Sequence, residues 1–266
     1  MKKFFVVLLV LAGFTGAFAG GGTESVAYTI EVGGSTSVTP LMELFATEYA
    51  KLKPNVKVNI NGTGSGDGIT NAGVTYQIGM SSRELTAAEQ GRGLNAVTVA
   101  IDGIAVIINK DNAVANLTVE QIRGIYTGAI TNWSQVGGRN AVIAVVSREA
   151  GSGTRGAFEE IIGFQGRLLA GANESTSTGA IKAGIAQNPN AIGYISLGSV
   201  DDTIKTVSVG GIAATTANVK AGRYSVARPF IVLTGKNVHA ESKAFIDWIL
   251  SAAGQAIVNR SWISVN

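Results

Sequence analysis

Residues 142–162 read VIAVVSREAGSGTRGAFEEII and contain the pattern that decides the fold. The apolar run at 142–146 predicts a buried β-strand, and Phe158 and Ile162 have the spacing of one helical face. Between them lies a loop of small and hydroxyl residues at 147–154. A strand, a glycine-rich loop and a helix in this order form the repeating unit of α/β proteins.

The same unit recurs along the chain. The patterns predict further strands at 28–32, 56–60, 78–80, 103–109, 192–195 and 229–233, and helices at about 39–51, 119–126 and 242–250. Because strands alternate with helices, we predict an α/β fold with mainly parallel sheets.

The composition excludes several classes of protein. The 266 residues are 46% hydrophobic and 15% charged, which is typical of a folded chain. The chain has no Cys and a single His, His239, so disulfides, thiol catalysis and most histidine-based zinc sites or catalytic triads are excluded. No Lys/Arg-rich run is present, so we expect neither nucleic acid nor a membrane surface as a partner.

The N-terminus has the pattern of a secretory signal. A basic start at 1–3 precedes an apolar run at 4–12 and a small-residue cleavage signal at 17–19. We therefore predict a signal peptide at 1–19 and a soluble periplasmic or extracytoplasmic protein. The chain has no Cys that could carry a lipid anchor at the cleavage point.

Four loops share one design, in which a strand end, a cluster of Gly, Ser and Thr, and a helix start follow one another. They are Gly34–Ser37, Gly64–Gly66, Gly151–Thr154 and Ser177–Gly179. Helix N-termini offer free N–H donors to anions, and hydroxyls add further donors. Ordinary helix capping explains any one such loop, but four in one chain favour an anion site.

Three charged side chains stand out beside these loops. Arg148, at the end of an apolar strand, presents a planar donor fork suited to an oxyanion, although a surface ion pair with Glu149 or Glu159 is the alternative. Arg83 is a similar candidate. Asp102 interrupts an apolar stretch, where a carboxylate is costly without a partner. It either contacts a ligand, caps a turn or pairs with Arg83.

The sequence does not assemble a catalytic site. The Ser-Gly loops have no obvious general base, the phosphate-loop lysine signature is missing, and no dense cluster of Asp, Glu and His is present. We therefore predict binding rather than catalysis, with no catalytic residues, no cofactor and no metal.

An ordered set of motifs resembles one family. It comprises Gly34–Ser37 with Pro40-Leu41, Gly62–Gly66, Ile78–Leu85, Asp102–Ile107, Thr131–Trp133, Arg148 with Gly151–Arg155, Ala191–Tyr194, Arg228-Pro229 and Phe245–Ser251. Together they resemble the periplasmic phosphate-binding proteins of bacterial phosphate ABC transporters, in the compact branch of that family.

The resemblance implies a two-lobed, class II periplasmic-binding-protein fold with the ligand in a cleft between the lobes. The chain would cross between lobes near Ile107–Lys110 and Ala227–Ile231. The expected first lobe is 24–107 with 229–266, and the expected second lobe is 108–228.

The resemblance also implies a set of phosphate contacts: Ser35, Thr36, Ser37, Ser65, Ser82, Arg83, Asp102, Arg148, Ser152, Gly153 and Thr154. Long members of the family place an Asp directly after the equivalent of Ser81, where it accepts the phosphate proton. This chain has Ser82 there, so we take Asp102 as the candidate acceptor.

The implied function is a monomeric, non-enzymatic receptor that delivers inorganic phosphate to a membrane permease with its ATPase. The alternatives are a receptor for another oxyanion such as sulfate or molybdate, an exported phosphatase or transferase, and an adhesion or scaffold protein.

Overall fold

The computed structural model describes residues 28–266; the predicted signal peptide lies outside them. The strands within that range are β1 (Tyr28–Gly34), β2 (Val56–Gly62), β3 (Ile78–Ser81), β4 (Asn95–Ile108), β5 (Asn116–Leu117), β6 (Ala144–Arg148), β7 (Asn173–Ser175), β8 (Ala191–Ser196), β9 (Lys205–Val209) and β10 (Ala227–Thr234). The helices are α1 (Thr39–Leu52), α2 (Ser65–Asn71), α3 (Ala87–Gln90), α4 (Val119–Tyr126), α5 (Gly153–Ile162), α6 (Thr178–Gln187), α7 (Thr216–Lys220), α8 (Ala240–Leu250) and α9 (Ala252–Val258), with 3-10 turns at Trp133–Val136 and Leu197–Ser199.

Two sheets with the same strand order form two lobes. The first sheet runs β2-β1-β3-β10-β4, and the second runs β7-β6-β8-β4-β9, with β5 beside β9. Three neighbouring strands are parallel in each sheet, β2-β1-β3 in the first and β7-β6-β8 in the second. The next strand in each order, β10 or β4, is antiparallel to its neighbours. This confirms the predicted α/β, two-lobed fold.

Each lobe has its own apolar core. In the first lobe, α1, α8 and α9 pack on the sheet, and Phe45, Phe230 and Phe245 are fully buried. In the second lobe, Phe158 stacks on Tyr194 with their ring centroids 4.1 Å apart, and Trp133 is fully buried. The two lobes thus have separate cores, and the long strands β4 and β10 run from one core to the other.

The long strand β4 passes from one core to the other. It pairs with β10 up to Gly103 and with β8 from Ile104 onward, and Ile104 packs in the second core. An unbroken apolar strand carries no sign of where its neighbours change, and the predicted lobe boundaries at 107 and 228 stay a prediction. Val226, immediately before β10, packs in the second core, and Phe230 on β10 packs in the first. Below, the first lobe means 28–103 with 228–266, and the second means 104–227.

Local chemistry sets the helix starts. Pro40 occupies the first turn of α1, where a missing N–H costs nothing. Thr118 and Gln121 bond each other's backbone N–H at the start of α4, forming a capping box. His239 caps α8 through Nδ1, which accepts from the N–H of Glu241 at 3.2 Å, so the single histidine has a structural role at an exposed position.

Two further observations bear on function. Between residues 28 and 266, no group of three or more His, Asp or Glu side chains is placed to hold a metal ion. In that same part of the chain, none of the helices is long and apolar enough to cross a membrane.

Candidate functional site

The first lobe brings three strand ends together through serine hydroxyls. Ser35 follows β1, Ser65 begins α2 after β2, and Ser82 follows β3. Ser35 Oγ donates to Ser82 Oγ at 2.9 Å, and Ser65 Oγ lies 3.3 Å from the same atom. All three residues are almost completely buried. Parallel strands end at one edge of a sheet, which is why residues so distant in sequence meet here.

The β1 turn requires its glycine. Gly34 has φ +134, a conformation that side chains rarely adopt, and a Cβ there would lie 2.3 Å from the carbonyl oxygen of Met80. The next N–H, of Ser35, donates to that same oxygen at 3.0 Å. The turn thus directs Ser35, Thr36 and Ser37 away from the sheet and toward the opposite lobe.

The second lobe contributes the start of α5. Ser152 caps this helix by accepting from the N–H of Arg155 at 3.3 Å. Gly153 and Thr154 occupy the first two helical positions, whose N–H groups have no carbonyl acceptor within the helix. All three are buried. The positive end of α5 therefore points into the cleft.

The hydroxyls of the two lobes touch across the cleft. Ser37 Oγ lies 2.8 Å from Thr154 Oγ1 and 3.2 Å from Thr178 Oγ1, and Thr36 Oγ1 also lies 3.2 Å from Thr178 Oγ1. A methyl group on Gly153 would lie 2.3 Å from Ser65 Oγ and 2.9 Å from Ser82 Oγ. The closed cleft thus has a hydroxyl cluster made of Ser35, Thr36, Ser37, Ser65, Ser82, Thr154 and Thr178.

Arg148 lies at the end of β6 with only 2% of its side chain exposed. Its Nε and Nη2 each donate to the Glu149 carboxylate at 2.8 Å, and they also reach the carbonyls of Ser175 and Thr176. The pair with Glu149 therefore exists, but the arginine is buried rather than on the surface. Tyr194 OH accepts from the Arg148 N–H at 3.3 Å, and burial raises the pKa of Tyr194 to about 12, so this phenol stays neutral.

Arg83 forms its hydrogen bonds with residues outside the hydroxyl cluster. Its guanidinium forms two bonds to the Glu89 carboxylate, at 2.7 and 2.8 Å, and one to the carbonyl of Glu84 at 2.8 Å. The Arg83 guanidinium in turn holds the pKa of Glu89 at about 2. Helix α3 thus supplies a carboxylate partner for the Arg83 guanidinium, and the ligand role of Arg83 stays a prediction.

Asp102 is buried but has other partners than the hydroxyl cluster. Its Oδ1 accepts from Ser196 Oγ at 2.8 Å, and its Oδ2 accepts from Arg228 Nη2 at 3.1 Å. Burial raises the pKa of Asp102 to about 6, against the attraction of Arg228. Neither oxygen is hydrogen-bonded to a member of the hydroxyl cluster, and the role of Asp102 as the acceptor of a ligand proton stays a prediction. Its partner is Arg228, and not Arg83.

Three residues that contact the hydroxyl cluster or Arg148 are absent from the predicted set: Thr178, Arg228 and Glu149. Thr178 follows Ser177 in a loop whose pattern matches the other three, so the sequence did signal it. Arg228 is part of a motif that the resemblance includes, but the register that sets it opposite Asp102 is visible only in the fold. Glu149 adjoins Arg148 in sequence, and the sequence predicts it only as a surface partner of that arginine.

Residues 19–253 match the PBP superfamily domain. The chain belongs to the PBP superfamily. Similar solved structures include a Clostridium perfringens substrate-binding protein assigned to a phosphate ABC transporter and solved with bound phosphate. It is 47% identical, has a TM-score of 0.88, and the match covers 90% of this chain and 100% of that one.

Two other similar proteins are also named for phosphate. An ABC-type phosphate transport receptor from Vibrio cholerae is 37% identical, with a TM-score of 0.74 and coverage of 89% of this chain and 99% of that one. The phosphate-binding protein PstS of Borreliella burgdorferi is 29% identical over 244 residues, which are 86% of this chain and 87% of that protein.

Proposed function

We propose that the chain is the substrate-binding component of an ABC transporter and that it captures inorganic phosphate between its two lobes. The observation that carries the proposal is the hydroxyl cluster, in which side chains from both lobes lie within 2.8–3.3 Å of one another, together with the buried Arg148 at the end of β6 in the second lobe. The bound phosphate in a relative that is 47% identical over almost the whole chain supports the same ligand.

The chemistry of the cluster suits a partly protonated tetrahedral anion. Hydroxyls, the first N–H groups of α5 and the Arg148 guanidinium donate to oxyanion oxygens. A Ser or Thr hydroxyl also accepts a hydrogen bond, so a proton on phosphate finds an acceptor without a carboxylate. We propose Ser35, Thr36, Ser37, Ser65, Ser82, Arg148, Ser152, Gly153, Thr154 and Thr178 as the binding set.

Titration calorimetry on the chain without residues 1–19 tests this proposal. We expect one phosphate per chain, with arsenate as a competitor and sulfate and molybdate as weaker ligands. Binding of sulfate or molybdate in preference to phosphate would show that the ligand is another oxyanion. No binding of any of the four would refute the proposal.

We also propose that the protein binds phosphate without turnover, which agrees with relatives that are named phosphate-binding proteins. Hydrolysis of a generic phosphate ester is measured for the wild type and for Ser152→Ala. We expect both rates to equal the background. A wild-type rate above background that Ser152→Ala abolishes would establish an enzyme instead.

The cellular context follows from the family. We propose a soluble, monomeric protein that is exported to the periplasm or another extracytoplasmic space by the signal at 1–19, and that passes phosphate to a permease and its ATPase. Cell fractionation that follows the mature chain tests the proposed location. Co-purification with the permease tests the proposed partner.

A further inference from the structure

A buried ion pair lies where the two long strands pass between the lobes. Asp102 on β4 and Arg228 on β10 face each other in register, and both side chains are 1% exposed. Arg228 Nη2 and Nε donate to Asp102 Oδ2 at 3.1 and 3.3 Å. A buried ion pair of this kind adds little net stability in many proteins. Stability alone therefore does not explain why this pair is buried here.

The pair joins elements of both lobes. Ser196 ends β8 in the second lobe and donates its hydroxyl to Asp102 Oδ1 at 2.8 Å. The guanidinium of Arg228 lies over the ring of Phe230, 5.3 Å from its centroid, in the first lobe. These contacts fix the orientation of the guanidinium. Its remaining nitrogen, Nη1, then faces the end of β3.

Arg228 Nη1 contacts a residue of the hydroxyl cluster. Arg228 Nη1 donates to the carbonyl oxygen of Ser82 at 3.1 Å, while the N–H of Ser82 donates to Ser65 Oγ at 3.1 Å. Both polar groups of the Ser82 backbone are therefore held. Its hydroxyl is thereby fixed between Ser35 Oγ and Ser65 Oγ, at 2.9 and 3.3 Å.

We propose that Arg228 is a positioning residue for anion binding, which acts by fixing Ser82 within the hydroxyl cluster. Arg228 touches no other member of that cluster by hydrogen bond, and Asp102 serves to orient its guanidinium. The planar fork allows one side chain to hold a carboxylate and a carbonyl together. A binding site keeps its affinity only while such supports hold its donors within about half an ångström. The proposal rests on the proposed function.

A double-mutant cycle with inorganic phosphate tests it. Arg228→Gln is expected to weaken phosphate binding at least tenfold when Ser82 is present, and less than threefold in the Ser82→Ala background, because the group that Arg228 positions is then gone. Titration to millimolar phosphate covers the weakened variants. Equal losses in the two backgrounds, or no loss in either, would overturn the proposal.

Two further variants separate position from folding and charge. Arg228→Lys keeps the positive charge but lacks the planar donor fork of the guanidinium, so we expect it also to weaken phosphate binding. Wild-type affinity in this variant would show that charge alone matters and would overturn the proposal. If Arg228→Gln does not fold, the cycle is run with Arg228→Lys. Arg123→Gln is the matched control, since Arg123 donates to a carbonyl, that of Ile162 at 2.8 Å, outside the site. If the wild type binds no phosphate, the proposed function itself fails.

Discussion

Gly153 offers a way to stop the lobes from closing without removing a single donor. In the closed cleft, a methyl group at this position would lie 2.3 Å from Ser65 Oγ and 2.9 Å from both Ser65 Cβ and Ser82 Oγ. Rotation of a hydroxyl cannot relieve a clash with Cβ, and the contacted residues are buried. In Gly153→Ala the lobes must therefore stay apart by about 1 Å, because non-bonded heavy atoms prefer separations near 3.5 Å.

This displacement gives the size of the effect. The contact of Ser37 Oγ with Thr154 Oγ1 at 2.8 Å would lengthen beyond hydrogen-bonding distance, and donors from the two lobes could no longer reach one ligand together. Each hydrogen bond to a charged group contributes about 1.5–3 kcal/mol. Losing two of them predicts a phosphate affinity lower by about 100-fold or more, at about 1.4 kcal/mol per tenfold.

Calorimetric titration with phosphate measures this loss, and small-angle scattering with and without phosphate measures closure. Gly151→Ala is the matched control, because a Cβ on Gly151 in the same loop meets no atom within 4 Å. We expect the control to bind as the wild type does, and both variants to keep their unfolding temperature without ligand. Phosphate binding by Gly153→Ala within threefold of the wild type would refute the reasoning.

Three further predictions concern charge, packing and pH. Arg148→Ala should weaken phosphate binding by about 100-fold or more, since it leaves a buried anion without its charge partner; a change below tenfold in calorimetry would remove Arg148 from the site. Trp133→Ala should lower the free energy of unfolding in urea by about 3–5 kcal/mol, because the ring is fully buried and Nε1 donates to the carbonyl of Asn190 at 2.9 Å; a loss below about 1 kcal/mol would contradict this. Burial raises the pKa of Asp102 from 3.8 to about 6, so the favourable contribution of its protonated carboxyl is complete only well below pH 3.8 and is lost as the pH rises through 6. The stability of the wild type relative to Asp102→Asn should therefore fall by roughly 2 kcal/mol between pH 4 and 7, and a flat difference would show that Asp102 does not titrate there.

The fold was largely predictable because its signals are local. Apolar runs bounded by Gly, Ser and Thr marked most strands, and helical spacing marked α1, α4 and α8. The first half of β4, from Asn95 to Asp102, was harder because it alternates polar and apolar residues and then continues into an apolar run. The sequence alone therefore predicted only its second half.

The candidate site was predictable where a residue's role depends on its own loop, and not where it depends on a distant partner. The serine-rich turns after β1 and β2 and the start of α5 could be read from their motifs. The partners of Arg83 and Asp102 could not, because Glu89 and Arg228 compete for them through register and helix placement. Long-range pairing decides such cases, and one sequence contains no direct signal of it.

The position of β10 has a consequence for how the protein acquires its structure. This strand lies between β3 and β4 in the first sheet, yet the whole of the second lobe separates it from β4 in sequence. A chain that emerges N-terminus first, from a ribosome or through a membrane, cannot complete that sheet until residues 227–234 arrive. Such non-local pairing folds slowly, and until then β3 and β4 present unpaired edges to chaperones and to one another. The topology thus leaves the first sheet open until nearly the whole chain has emerged, whereas the second sheet needs no residue beyond 209 and can close before the first.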